Sequence, residues 1–242
     1  MQAALQTLTH LLYPPRCLAC GEQVDSDFGL CPACWRDTPF IGGLICDICS
    51  TPLPGEGDGH RILCDACMAA PPPWSQGRAA LLYEGQARRL VLALKHGDRT
   101  DLARPAAQWM ARVGASMIAP DMLVAPVPLH WMRLAQRRYN QAALLSQALA
   151  TRLGLAHCPD LFQRRKRTPS LDGRSAVARA EILADAICIH PKRSHRLAGR
   201  PVLLVDDVLT SGATLAATAQ SAHAAGASRV CVIALARVPK EA

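Results

Sequence analysis

A mostly parallel α/β sheet flanked by helices, preceded by a small cysteine-rich module, is the architecture this sequence encodes, on three grounds. From residue 78 onward, apolar strand-like runs alternate with helical periodicity, the pattern of strands linked by helical crossovers. Before residue 70, eight cysteines fall into four Cys-x-x-Cys pairs. Late in the chain, Pro201-Val202-Leu203-Leu204-Val205 runs into Asp206-Asp207 and then through small and hydroxyl residues into a helical stretch. Unpaired charges are costly to bury, so that strand end is a place where something binds.

The chain has 242 residues, half of them hydrophobic, which suits one α/β domain and a small module. At the N-terminus Leu5, Leu8, Leu11 and Leu12 keep helical spacing. Without a basic leader or a clean apolar stretch this reads as a short amphipathic helix of a cytoplasmic protein. No run approaches the ~18 apolar residues of a membrane span, so no membrane partner is expected.

The pairs are Cys17/Cys20, Cys31/Cys34, Cys46/Cys49 and Cys64/Cys67, separated by ten, eleven and fourteen residues. A two-residue gap lets both sulfurs of a tight turn reach one tetrahedral ion. Disulfides would need an oxidising compartment, and redox catalysis by Cys-x-x-Cys a βαβ frame; neither is visible around these pairs. Two four-cysteine zinc sites use all eight thiolates. The segment has little core of its own, and such a scaffold rarely gains more than ~3–5 kcal/mol from apolar burial. A structural zinc supplies an apparent ~10–16 kcal/mol, so metal decides whether the module folds. Sequential pairing puts Cys17, Cys20, Cys31 and Cys34 on one ion and Cys46, Cys49, Cys64 and Cys67 on the other; interleaved pairing stays open. With sulfur in every position the ions are closed and structural. Of the remaining cysteines, Cys158, Cys188 and Cys231, the last two lie in apolar strand-like runs and read as core residues.

The boundaries follow: a double zinc module over 1–70, a Pro-rich linker over 71–77 and an α/β domain over 78–242. Within the domain, residues 78–85 read as a strand and 86–98 as a helix stopped by Gly97. A second helix covers 102–119 and a short strand 122–129. A third helix over 140–154 ends at Gly154. Residues 164–175 are polar and basic, hence loop. Strands follow over 184–190 and 200–207, then a helix over 213–226 and a buried strand over 228–237.

Formal charge is +8, unevenly spread: residues 1–70 hold three Lys/Arg against eight Asp/Glu, a net of −5, and residues 131–200 hold fourteen against four, a net of +10. The basic stretch suits a polyanion, either nucleic acid or a pyrophosphate-bearing small molecule, or is a solvated basic face. Ligands of open α/β sheets gather at the carboxyl ends of strands, where Asp206 and Asp207 lie. Thr210, Ser211, Gly212, Ala213 and Thr214 follow directly before a helix. Small residues leave backbone N–H groups open to a phosphate. The helix dipole adds only ~0.3–1 kcal/mol, whereas each hydrogen bond to a charged group is worth ~1.5–3 kcal/mol. The turn is therefore a phosphate cradle. It is neither a Walker loop, lacking Gly-Lys-Ser/Thr, nor a Gly-x-Gly-x-x-Gly fingerprint.

The stretch VLLVDDVLTSGAT, residues 202–214, closely resembles the phosphoribosyl-pyrophosphate (PRPP) motif of type I phosphoribosyltransferases. Together with the paired-cysteine front, LKHGD, VAPVPLHWMRLAQRRYNQA and RRKRTPSLDGRS, the order resembles the competence-associated ComF (GntX-like) family over nearly the whole chain. The resemblance implies a type I phosphoribosyltransferase-like sheet. It implies that Asp206 and Asp207 hold the ribose hydroxyls as the catalytic pair, and that Thr210 to Thr214 hold the 5-phosphate. Arg133, Arg137 and Arg138 would face the pyrophosphate, assisted by Lys95, and the loop with Arg164 to Arg167 and Arg174 would close over ligand. Three positions depart from the family's pattern: Arg138 stands in place of a glycine, Leu171 of a glutamine and Ile182 of an asparagine. They bear on acceptor recognition and turnover.

By that resemblance the cofactors are structural zinc and Mg²⁺ with PRPP, and the reaction is phosphoribosyl transfer to a nitrogen nucleophile, associated with DNA uptake. A reading of another class keeps the fold without turnover, as a single-stranded-DNA-binding or helicase-docking module of DNA uptake. Trp35 and Trp74 are then docking candidates, or core residues. His60 is a loop histidine or a replacement zinc ligand, and His96, beside Lys95, a substrate contact.

Overall fold

The computed structural model describes residues 14–25, 29–57, 59–129, 139–164 and 186–239. Among these residues seven strands form: β1 (Gln76–Leu82), β2 (Leu123–Pro126), β3 (Ala156–His157), β4 (Phe162–Arg164), β5 (Ile187–Ile189), β6 (Pro201–Leu209) and β7 (Arg229–Arg237). Five of them make one parallel sheet in the order β1-β7-β6-β2-β3. The strands β4 and β5 pair antiparallel outside it, and β5 falls within the stretch read as a strand over 184–190.

Among the described residues six α-helices accompany the strands: α1 (Pro32–Arg36), α2 (Asp65–Ala69), α3 (Gly85–His96), α4 (Ala103–Gly114), α5 (Gln141–Leu153) and α6 (Ala213–Ala224). Helix α3 ends before Gly97 and α5 before Gly154, as their sequences indicate. Among the described residues no helix is long and apolar enough to cross a membrane.

The central strands are apolar through Val202–Val205 and Val230–Ala236 because both faces are covered there. Leu203, Val205, Cys231, Ile233 and Leu235 pack with Leu90, Val91 and Leu94 of α3, Met110 of α4 and Leu145 and Leu149 of α5. The alternate residues Val202, Leu204, Val230, Val232 and Ala234 pack with Leu215, Ala219 and Ala222 of α6, with Phe162 and Ile187, and with Cys46, Ile48, Cys49, Cys64 and Cys67. The second cysteine group is thus part of the domain's own core. Cys231 is buried, while Cys188 is half-buried, with its thiol 3.8 Å from the Gln163 carbonyl.

An edge strand exposes unpaired backbone groups, and the cysteine module covers that edge at β1. Gly77 donates to Asp47 O (2.9 Å), Leu82 donates to Pro39 O (2.9 Å) and Ile41 donates to Ala80 O (2.9 Å). Ala79 donates to the Ser50 hydroxyl at 3.0 Å. Each such bond contributes about 0.5–1.5 kcal/mol net. A Cβ on Gly77 would lie 2.2 Å from Ile48 O, so only glycine lets the two backbones meet. The segment read as a linker is structured at its end: Gln76 and Gly77 are the first residues of β1, and Trp74 is buried at 7% exposure. Prolines and a glycine suggested a free connector because the sequence does not show the partner surface they pack on.

Candidate functional site

The order of the sheet places β6 between β7 and β2, with Val205 opposite Pro126 where β2 ends. The carboxylates lie one and two residues beyond that level, at the carboxyl end of the sheet. Strand alternation sends Asp206 to the α6 face, with Val202 and Leu204, and Asp207 to the α3 face, with Leu203 and Val205. The two acids thus flank the strand end. Asp206 Oδ1 accepts from the Asp207 amide at 2.8 Å. Burial, and then the charge of Asp207, push the Asp206 carboxyl up to about 7. Lys95 Nζ, from the last turn of α3, stands 3.4 Å from Asp207 Oδ1 and 5.9 Å from the centroid of the Tyr83 ring.

Beyond Leu209 the chain turns through exposed Thr210 and Ser211 into buried Gly212. Gly212 has φ +78 and begins α6, and no side chain caps the helix there. The amides of a helix's first turn have no internal partner, so those of residues 213–215 are the donors an oxyanion would use. The left-handed φ favours glycine, and the space behind it is filled: a Cβ would meet Trp74 Cη2 at 3.0 Å and Leu209 Cδ1 at 3.5 Å.

The start of α5 organises the neighbourhood. Asn140 accepts from the Ala142 amide at 3.0 Å and donates to Val127 O at 3.2 Å. Tyr139 donates its hydroxyl proton to Leu94 O at 2.9 Å, and Gln141 donates to Lys95 O at 3.2 Å. Three consecutive side chains thereby fix the C-terminal turn of α3, which carries Lys95, and the loop leaving β2.

The eight paired cysteines form two clusters in chain order, Cys17, Cys20, Cys31 and Cys34, then Cys46, Cys49, Cys64 and Cys67; within each, the ligand atoms lie within 4.8 Å of one another. Two sulfurs ~2.3 Å from a common tetrahedral ion lie about 3.8 Å apart. Cys20 and Cys31 are 3.7 Å apart and Cys49 and Cys64 3.6 Å. Crowded thiols cannot all ionise unaided. Burial opposes ionisation of Cys17, but amides of Cys20, Cys31 and Ala19 bring it down to about 6, while burial and the neighbouring thiols push Cys34 up. A hydrogen bond with Cys46 draws Cys49 down to about 3, and burial first of all pushes Cys67 up to about 12. A dication stabilises four thiolates together.

One orphaned group supports zinc at the second cluster. Arg237, 1% exposed, donates through Nη1 to Cys49 O, yet its Nε and Nη2 have no hydrogen-bond partner. A buried unpaired cation is costly, and a zinc tetrathiolate carries two net negative charges beside it. Both clusters fit closed structural zinc sites.

Comparison with known proteins accords with this geometry. Residues 8–75 match the double zinc ribbon domain and residues 140–242 the phosphoribosyl transferase domain. Competence protein F of Haemophilus influenzae is 28% identical over 229 residues, covering 92% of this chain and 96% of that protein. DNA utilization protein YhgH of Salmonella typhi is 32% identical over 235 residues, covering 94% of this chain and 99% of that protein. The chain belongs to the ComF family. A crystal structure of adenine phosphoribosyltransferase from Thermoanaerobacter pseudethanolicus aligns with 61% of this ComF-family chain and 84% of its own, with a TM-score of 0.37 and 18% identity.

Of the residues singled out in the ComF-family sequence, the structure brings Lys95, Asp206 and Asp207 together beside the turn 210–214. Arg133, Arg137, Arg138, Arg165 to Arg167 (with Lys166 between them), Leu171, Arg174 and Ile182 lie outside the described residues. Arg164 ends β4. His96 is exposed at the end of α3. Among the described residues both metal-capable groups are cysteine alone, and His60 lines a groove with Gly43, Asp47 and Glu56. The paired tryptophan reading divides: Trp74 is core, whereas Trp35 is 44% exposed and stacks on Phe40 at 4.4 Å.

Arg237 was not anticipated, because a basic residue closing an apolar strand reads as its solvated end. Nor were the contacts of Asp47, whose carboxylate takes Arg78 Nη2 at 2.6 Å. The signal for that pair was weak: an Arg near the start of an otherwise apolar edge strand.

Proposed function

We propose that this ComF-family protein binds PRPP with Mg²⁺ at the carboxyl end of β6 and transfers the phosphoribosyl group to a nitrogen nucleophile in the use of external DNA. The observation that carries this reading is the adjacency of Asp206 and Asp207 to an uncapped helix start with Gly212 at φ +78, entered through exposed Thr210 and Ser211. The names of the relatives, DNA utilization protein and competence protein, support the DNA context.

In this reading the amides and hydroxyls of Thr210 to Thr214 hold the 5-phosphate. Asp206 and Asp207 accept hydrogen bonds from the ribose diol and favour positive charge developing on the sugar. The anomeric C–O bond breaks with its electron pair leaving on pyrophosphate, the nucleophile's lone pair forms the new C–N bond, and its proton leaves to solvent. Lys95 exchanges Asp207 for the departing pyrophosphate, joined by Arg133, Arg137, Arg138 and Arg174. Preorganised donors of this kind supply about 2.7–4 kcal/mol each. Mg²⁺, when bound, adds charge neutralisation at the leaving group. Two reduced tetrathiolate centres suit the cytoplasm, and we keep the module, connector and transferase-like domain at 1–70, 71–77 and 78–242, with β1 entering two residues early.

Calorimetry tests the site. PRPP with Mg²⁺ binds the native protein, and Asp206→Asn/Asp207→Asn loses binding; unchanged binding in the double variant refutes the assignment. A second reading, single-stranded DNA binding without turnover, draws on the +10 stretch over 131–200. Its mark is DNA affinity that falls steeply with salt while pyrophosphate release from PRPP stays absent with every acceptor tried.

A further inference from the structure

The knuckle Cys46-Asp47-Ile48-Cys49 offers three successive carbonyls to the phosphoribosyltransferase-like domain. Asp47 O accepts from Gly77 N at 2.9 Å and from Arg78 Nη1 at 2.9 Å. Ile48 O accepts from Trp74 Nε1 at 2.8 Å. Cys49 O accepts from Arg237 Nη1. Trp74 is the member of this set that reaches the phosphate turn. Its pyrrole edge is bonded to the knuckle, and its benzo edge backs Gly212, with Cη2 3.0 Å and Cζ2 3.8 Å from the Cβ position of that glycine. A second tie runs beside it: His223 Nε2 of α6 lies 3.2 Å from Pro73 O.

An indole is rigid, so the distance from knuckle to turn is fixed by one planar side chain. The direction of Ile48 O depends on how Cys46 and Cys49 are held, which is what an ion between them and Cys64 and Cys67 determines. We propose that Trp74 is a positioning residue that couples metal occupancy of the Cys46/Cys49/Cys64/Cys67 centre to the geometry of the phosphate turn at Gly212. This deepens, and rests on, the reading of residues 210–214 as the phosphate site. The zinc of the second centre then acts on ligand affinity without touching ligand. Trp74→Phe keeps an aromatic ring but loses both the N–H that grips Ile48 O and the reach of Cη2 and Cζ2 to Gly212, so it breaks the link at both ends.

The test uses the full chain and two readouts. Amide hydrogen exchange over 212–215 reports the turn, with the amides of β2 and α5 as the folding reference. Calorimetry with PRPP and Mg²⁺ reports binding. Metal content is counted by native mass spectrometry. Cys67→Ser, emptying the second centre, speeds exchange at 212–215 and lowers PRPP affinity by about tenfold or more, the loss of one charge-assisted hydrogen bond. Trp74→Phe does the same in the zinc-loaded protein, and the two substitutions together are no worse than the stronger one alone, as expected for two links of one chain. Unchanged exchange at 212–215 in Cys67→Ser, with β2 and α5 protected, overturns the proposal, and so do effects of the two substitutions that multiply. Should Cys67→Ser not fold, Trp74→Phe decides: faster exchange at 212–215 supports the coupling and unchanged exchange overturns it. If the native protein does not bind PRPP, the phosphate reading falls, while the exchange arm still decides the coupling.

Discussion

Replacing Gly212 by alanine sets two effects of opposite sign against each other. Alanine restricts the unfolded chain and stabilises by about 0.4–1 kcal/mol where the native backbone accepts it. At φ +78 it does not: the left-handed conformation costs a residue with a Cβ about 1–2 kcal/mol. The new methyl would also stand 3.0 Å from Trp74 Cη2, and that indole is buried and hydrogen-bonded to Ile48 O, so it yields little. Strain wins, and Gly212→Ala destabilises by about 1–2 kcal/mol. For a chain of this size the melting temperature falls by about 2–8 °C, at roughly 2–4 °C per kcal/mol. Differential scanning calorimetry measures the shift, and titration of the same samples with PRPP and Mg²⁺ shows weaker binding. An unchanged or raised melting temperature refutes the reasoning, because it means the turn accepts a Cβ and is not held left-handed against Trp74.

Other outcomes follow from the same contacts. Arg237→Met removes the buried counter-charge beside Cys49, and the second zinc is held about 10–100-fold less tightly by competition with a chelating dye; unchanged affinity shows that the orphaned guanidinium does not answer to the metal. Asp206 titrates in the folded protein at about 7, above the ordinary carboxyl of the unfolded chain, so its contribution to stability is present at low pH and is lost as pH rises toward and through 7. Asp206→Asn therefore gains melting temperature over the native protein between about pH 4 and 7, levelling off above; a gain that is the same at every pH contradicts the shift. Lys95→Met strands Asp207 without its 3.4 Å partner and destabilises by about 1.5–3 kcal/mol, and adding Asp207→Asn recovers most of that loss in a double-mutant cycle.

Most of this molecule was legible before its coordinates because its strongest signals are local. Alternating strand and helix periods indicated a parallel sheet holding β1, β2, β6 and β7, though not its order, and Gly97 and Gly154 marked helix ends. Cysteine spacing gave two four-sulfur groups. What was hidden depends on contacts far apart in sequence. Trp74 and Gly212 are separated by 138 positions, and nothing local in a proline-rich stretch says that its tryptophan backs a turn in the next domain. Arg237 reads as a solvated strand end until Cys49 is seen to cover it. The strand β5 is legible as an apolar run, but its antiparallel partner β4, Phe162-Gln163-Arg164, carries no strand signal of its own, and three residues say nothing about which strand they pair with. Asp207 is identifiable from its motif, but its ion pair with Lys95 depends on where α3 ends, a turn to which Tyr139 and Gln141 bond from more than forty residues away.

The most direct measurement is a crystal structure of the protein with PRPP and Mg²⁺. The account predicts the 5-phosphate within hydrogen-bonding distance of the amides of residues 210–215, the ribose hydroxyls on Asp206 and Asp207, and Lys95 moved off Asp207. Ligand bound elsewhere, with the Lys95–Asp207 pair intact and the turn empty, contradicts it.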